Sequence, residues 1–453
     1  MVSQTYCVSV VNAREPSSEV RPEGAKQDSP GQSEVAAATK HRPGSRKELK
    51  MNALKGQNKG RCFAAEKPTP MSKHTPVTLI GLTLALSIAA GCGSRPATQP
   101  FPPPADVAAG DLDATDVLPF IDGPLEEGRN YVYCGTFQLA WNELQDNYIK
   151  APLQLEHAED WAERLNARRF DKSQLSDEDY IVAVGQSGKE LWEKVAPVCQ
   201  QKFPKQSLRM PAATPDPEFA AYACLCKTLP FQEAFDRRPE PLEFNSATGK
   251  EPVAAFGLKD FAYGSDREVQ LHEQITILDY VSDDDFILRL NTTSTKDEVI
   301  LAKMQPKETL LATVDTVEKR IAESQLPEHR QELQVLESVI VPVIEISLDR
   351  EYDELIGANL LNPGWELWFV TQARQDIRFR LDEHGARLES TAEMAVGADA
   401  DEPRQMIFDQ PFLLMLREKG DGEPKEPYLA VWIENTEVLK PFSEDEAPEE
   451  DTP

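Results

Sequence analysis

Basic residues are in deficit in this chain: 48 Lys and Arg stand against 77 Asp and Glu, for a net charge of −29. A surface that acidic repels phosphate backbones, so nucleic acid is not an expected partner, although charge alone says little about fold. Histidine is scarce as well, and His157, His272, His329 and His384 show no metal-ligand spacing. Among the cysteines no zinc half-site appears, because Cys224-Leu225-Cys226 puts one residue between thiols that would need roughly two to four. Phosphate-cradling and dinucleotide-binding glycine loops are missing, and Gly185-Gln186-Ser187-Gly188 lacks the second spacer of a nucleophile elbow. Asp283-Asp284-Asp285 opens like a calcium loop but lacks the later glycine and glutamate, so it reads as a turn. These absences leave no enzyme chemistry, cofactor or metal to assign. No apolar run is long enough for a comfortable membrane span either.

The longest apolar run, Val77 to Ala90, follows Met71-Ser72-Lys73-His74 and leads into Gly91-Cys92-Gly93-Ser94. A basic start, an apolar middle and a small-residue exit describe a secretory signal. Ala89-Ala90-Gly91-Cys92 resembles the lipobox of bacterial lipoproteins, which implies an acylated Cys92 as lipid anchor and a place on the cell envelope, at the outer membrane, with the domain in the periplasm or outside. The expected layout is a leader or start-site artefact without structure over 1–70, a lipoprotein signal over 71–92, a Pro-rich tether over 93–128, a domain over 129–442 and an acidic, unstructured tail over 443–453. Export to an oxidising compartment makes Cys134, Cys199, Cys224 and Cys226 candidates for two disulfides, with three pairings open and buried thiols as the alternative.

Within the domain, apolar spacing of three to four residues from Phe137 predicts a mainly helical region to about residue 225, broken at Pro204 and the prolines after it. The period then shortens to two. Strands are predicted at Leu242–Phe244, Val253–Phe256, Val269–Leu271, Ile275–Tyr280 and Phe286–Leu290, then a mostly helical stretch over Lys307–Leu336 with a break at Pro327. Further strands are expected at Ser338–Ile346, Leu367–Thr371 and Ile377–Leu381. Pro411–Arg417 and Pro427–Ile433 close the series as a hairpin across Gly420-Asp421-Gly422, the first apolar throughout and therefore buried on both faces.

Between these last strands lies the most informative stretch. Ala386, Leu388, Ser390, Ala392, Met394 and Val396 are apolar or small and alternate with Arg387, Glu389, Thr391 and Glu393, the pattern of a strand with one buried face. Gly397–Pro403 then reads as an exposed loop.

Glu383-His384-Gly385-Ala386 resembles the Glu-x-Gly-Thr hinge of serpins, and Phe408-Asp409-Gln410-Pro411-Phe412-Leu413 resembles the motif that opens the family's penultimate core strand; their spacing suits a serpin reactive loop. Weaker echoes stand at Leu229-Pro230-Phe231, Ile277–Tyr280 and Val341–Ile346, so the likeness covers about residues 229 to 442. The resemblance implies an α+β, serpin-like fold, with a helical amino-terminal part packed on large, mostly antiparallel sheets and an exposed reactive loop. It implies a monomeric inhibitor of a serine or cysteine protease, or else a binding module on the same fold. Glu383, Gly385 and Ala386 would form the hinge, Leu388, Ser390, Ala392 and Met394 the core face of the inserted strand, and Asp399-Ala400 the scissile bond, with Ala398 or Ala400 as the alternative scissile position. The sequence departs from the family at Arg387-Leu388-Glu389, where small residues are usual, and at Phe235, Gln375 and Trp432. An overlarge Leu388 in a packed sheet would cost roughly 1–3 kcal/mol.

Overall fold

The computed structural model describes residues 2–14, 112–186, 189–204, 218–262, 264–384, 403–420 and 424–443. Residues 1–18 and 98–453 belong to one compact unit. In chain order the early elements are β1 (Val2–Arg14), β2 (Thr115–Leu118), β3 (Asn130–Cys134), α1 (Thr136–Leu144), α2 (Glu159–Asn166), β4 (Tyr180–Gln186), α3 (Lys189–Lys202) and β5 (Glu218–Leu229). Then come β6 (Asp236–Arg237), β7 (Leu242–Ser246), β8 (Gly249–Val253), β9 (Ala255–Leu258), α4 (Asp266–Glu273), β10 (Ile275–Ser282), β11 (Asp285–Leu290), β12 (Asp297–Lys303) and α5 (Leu310–Glu323). The series ends with β13 (Ser338–Pro342), β14 (Ile344–Glu351), β15 (Phe369–Leu381), β16 (Gln405–Ile407), β17 (Phe412–Glu418) and β18 (Leu429–Ile433).

The architecture mixes several sheets with few helices. A first sheet runs β14-β15-β1-β5-β4, antiparallel throughout. A second runs β10-β11-β12-β17-β18-β3-β2, and a third β16-β13-β9-β6. The main core lies between the first two sheets. Phe219, Ala221, Ala223 and Leu225 of β5 share it with Val299, Leu414 and Val431 of the second sheet and with Phe137 and Trp141 of α1. All nine residues of α1 are buried, as expected of a helix enclosed on every side, and its polar side chains are satisfied: Gln138 donates to the Leu165 carbonyl at 2.7 Å and Asn142 to that of Phe170 at 2.9 Å. On the outer face of the second sheet, Leu310, Val314 and Val317 of α5 cover Ile300, Met415 and Trp432. On the outer face of the first, Leu191, Val195 and Cys199 of α3 cover Tyr222, Cys224 and Cys226. Strand β17 therefore has apolar cover on both faces, as its unbroken apolar run implies.

Several elements differ from the sequence expectation. The region from Phe137 to about residue 225 holds α1, α2 and α3 but is not helical throughout, because β4 and much of β5 also fall there. Strand β5 carries few β-branched residues and is apolar on both faces, and such a run has no period to separate it from a buried helix. Val269–Leu271 is helical within α4, set by a capping box in which the Ser265 side chain accepts from the Glu268 N–H and the Glu268 carboxylate accepts from the Ser265 N–H. The helix expected over Lys307–Leu336 stops at Glu323, followed by one 3-10 turn at Glu328–Arg330. Ser338–Ile346 divides at Pro342-Val343 into β13 and β14, which lie in different sheets: the Val343 N–H leaves the ladder for the Ala254 carbonyl. Leu367–Thr371 and Ile377–Leu381 fall instead along one strand, β15, for nearly their whole length. Of the leader expected to lack structure, residues 2–14 form β1, in the middle of the first sheet.

Candidate functional site

The middle of the first sheet holds an unexpected occupant, β1. Strand β1 is antiparallel to both neighbours: Cys7 is level with Leu225 of β5 and Ile377 of β15, and Val11 with Ala221 and Ala373. It follows that β5 and β15 run parallel to each other, separated by two strand spacings, about 9–10 Å. Their core-facing positions opposite β1 include Ala221, Ala223 and Ala373, all fully buried. Small side chains there leave room on the core side of the middle strand.

At its centre β15 is fastened from beneath. Gln375 is fully buried; its amide oxygen accepts from the Tyr352 hydroxyl at 2.7 Å, while its amide nitrogen donates to the Cys134 carbonyl at 3.0 Å and to Thr136 Oγ1 at 2.9 Å. One side chain thus ties the first sheet to β3 and the start of α1.

The carboxyl end of β15 is held by charge. Leu381 is level with Val2 of β1 and Ile344 of β14, and Asp382-Glu383-His384 follow it. Glu383, expected at a hinge, is buried and bonds Arg237 of β6 at 3.0 Å, with His384 Nδ1 at 3.3 Å. Asp382 meets Arg380 at 2.6 Å. Burial alone would raise the Asp382 carboxyl, but hydrogen bonding to His384 and the Arg380 charge help to hold it well below the usual carboxylate range. These three residues bring ligand atoms within 4.8 Å of one another, yet the carboxylates already face Arg380 and Arg237, and the group is accounted for as an ion-pair lattice that fixes the end of the strand.

Two residues before the end of β5, Lys227 points into the core with a side chain 2% exposed and meets Asp179 at 2.7 Å, Asp297 of β12 at 2.9 Å and Glu418 of β17 at 2.6 Å. The Ser176 N–H and hydroxyl also donate to Glu418, at 2.8 and 2.9 Å. Burial alone would raise the Glu418 carboxyl, but these donors bring it down to about 2. The cluster locks the first sheet to the second near the end of β5.

The comparisons with known proteins add little. The chain matches no protein-family model and no curated protein. Among solved structures, a thyroxine-binding globulin in complex with thyroxine is similar at 13% identity and a TM-score of 0.34, over 58% of this chain and 77% of that one. A likeness that low carries no argument about family or activity.

Of the hinge and loop residues expected from the sequence, the structure places Glu383 beside its cation. Gly385, Ala386, Leu388, Ser390, Ala392, Met394, Asp399 and Ala400 lie outside the described residues, as does Cys92. The disulfide expectation is corrected: Cys134, Cys199, Cys224 and Cys226 are all buried thiols. Cys134 belongs to the core between the sheets, whereas Cys224 and Cys226 lie on the opposite face of the first sheet, where Cys199 of α3 packs over them. Cys224 and Cys226 approach to 3.7 Å between sulfurs, beyond the roughly 2 Å of a bond. Sequence reasoning missed Arg237, Lys227 and β1. For the last there was a signal in Val2–Arg14, a run rich in valine with no proline or glycine, masked by the composition of the segment around it.

An open cleft of about 520 Å³ lies elsewhere, beside Lys303, Lys307 and Trp432. Its most buried cation, Lys303, is already held by Asp284 at 2.9 Å and Asp409 at 2.7 Å. Among the described residues no helix is long and apolar enough to cross a membrane.

Proposed function

We propose that this chain is a serpin-like protease inhibitor that works by strand insertion rather than by catalysis, tethered to a bacterial envelope through Cys92. The observation that carries the reading is the arrangement of β5 and β15, parallel to each other on either side of a single strand position. Two parallel strands, each able to pair antiparallel with one strand between them, form an acceptor directly beside the end of β15, from which residues 385–402 lead to β16. A protease that cuts this stretch would free a segment whose Ala386–Val396 pattern matches a strand with one core face. Insertion would then release strain stored in the uncut form, with the acylated protease carried along.

Incubating the purified protein with a panel of serine and cysteine proteases tests this. The expected result is a covalent adduct on a denaturing gel for at least one enzyme, with cleavage near Asp399-Ala400. Clean digestion without adduct by every enzyme would overturn it. One observation favours a second reading, a non-inhibitory binding module on the same fold: the gap is already occupied by β1. On that reading, nicking the 385–402 stretch leaves the melting temperature unchanged in every form of the protein.

A further inference from the structure

We infer that Val2–Arg14 is a resident plug strand that holds the acceptor gap shut, and that its withdrawal is the step that opens the gap to another strand. The identity of the next strand rests on the function proposed above; the plug itself does not.

The first argument is the pairing. Strand β1 is in register with β5 down to Arg14 and with β15 from Tyr6 to Arg14, with one irregularity against each partner in the stretch Val2–Tyr6 and one more against β15 at Asn12/Ala13. Taking it away strips two facing edges of their backbone partners. Unpaired buried N–H and C=O groups cost on the order of 1–3 kcal/mol each. Because β5 and β15 are parallel and two strand spacings apart, they cannot satisfy each other without the sheet collapsing. The gap therefore needs an occupant, and a strand is what fits.

The second argument is equivalence of pattern. Positions 7, 9, 11 and 13 of β1 are level with core-facing Leu225, Ala223, Ala221 and Phe219 and hold Cys, Ser, Val and Ala in the sequence. Ala386, Leu388, Ser390, Ala392 and Met394 likewise alternate with polar residues, with Leu388 and Met394 the larger members of that face. Two segments of one chain, 2–14 and 386–396, thus carry the pattern for one position, and a sheet interior holds one strand at a time. Occupation by the first excludes the second.

The third argument is the connection. Strand β1 reaches the rest of its sheet through residues 15–111, the stretch that contains the signal-like segment and Cys92. A cut on the amino side of Cys92 would turn an intramolecular strand into a separate peptide. Its hold then falls from the effective concentration of a tethered segment to its bulk concentration, and the plug can leave.

The test uses the full chain with a site-specific protease sequence inserted between His41 and Arg42, cut after folding. We expect the amino-terminal fragment to co-elute with the remainder on size exclusion and to be replaced by an excess of labelled synthetic peptide of sequence Val2–Arg14. Hydrogen exchange over 219–227 and 372–381 should rise when the fragment is withdrawn. In the uncut chain, Val10→Pro, which removes a donor in mid-strand, should raise exchange at the same segments while other regions stay protected. Immediate separation of the fragment with unchanged exchange would overturn the inference, and elution at twice the mass would show the strand donated to a second copy instead. A second arm nicks the 385–402 stretch with the fragment bound and with it removed. A rise in melting temperature only after removal supports the plug and the inhibitor reading together. A rise with the fragment still bound overturns the plug. No rise in either state, with peptide exchange intact, leaves the plug standing and overturns insertion by the loop.

Discussion

Lys227 is the residue on which the joint between the two large sheets depends. Its ammonium group faces three carboxylates at 2.6 to 2.9 Å with almost no exposure. Lys227→Met would leave Asp179, Asp297 and Glu418 without their cation, and we expect a loss of about 3–5 kcal/mol in chemical unfolding. The same cluster sets an acid limit. Glu418 titrates near 2 in the folded state against an ordinary 4.5, so its stabilising contribution is fully present above about 4.5 and is lost as the pH falls toward 2. At the other end Lys227 is raised above its ordinary 10.5, its neighbours outweighing burial, so its contribution is present below that value and lost as the pH rises through its folded pKa. Melting temperatures measured from pH 2 to 12 should fall at both ends, and the Lys227→Met variant should lose the alkaline fall. Gly257 is a second residue with no substitute: its φ is +143°, and a Cβ there would stand 2.0 Å from the Val339 carbonyl oxygen. Gly257→Ala should lower the melting temperature by several degrees and raise hydrogen exchange across β9 and β13. Glu383 was visible in the sequence as a hinge candidate, but Arg237 was not, since an ion pair across 146 residues leaves no local trace.

Elements were legible in proportion to how local their causes are. The helix α5 begins at Thr309, whose side chain accepts from the Ala312 N–H at 3.1 Å, and the period of three to four residues after it is a property of the segment itself. Strands β10, β11, β17 and β18 announced themselves by β-rich runs between turn residues. Helix α4 differs from the expectation because the alternation Val269-Gln270-Leu271 outweighs the capping signature Ser265-Asp266-Arg267-Glu268. Removing that cap with Ser265→Ala should cost about 0.5–2 kcal/mol in urea unfolding, with helix α4 the segment whose exchange rises most. Strand β5 was missed for the opposite reason, since a strand covered by α3 on one face and by the core on the other carries no alternation to detect.

At the scale of the whole molecule, the cysteines follow the layers rather than the redox expectation. Cys199 on α3 packs over Cys224 and Cys226 of β5; burial pushes the Cys199 thiol up to about 11, and the hydrogen bond to Cys226, together with burial, raises the Cys224 thiol well above its ordinary value. We expect alkylation at pH 8 to spare Cys134, Cys199, Cys224 and Cys226 in the native protein and to modify all four in denaturant without added reductant, as read by peptide mass. Modification that required a reductant would reinstate the disulfides. By itself the sequence determined the terminal hairpin and the helix α5, because apolar periodicity and capping act between neighbours in the chain. Only the tertiary structure decided which segment stands between β5 and β15. A strand in the middle of a sheet is chosen by two edges that want partners and by the room their small side chains leave, and both belong to residues hundreds of positions away.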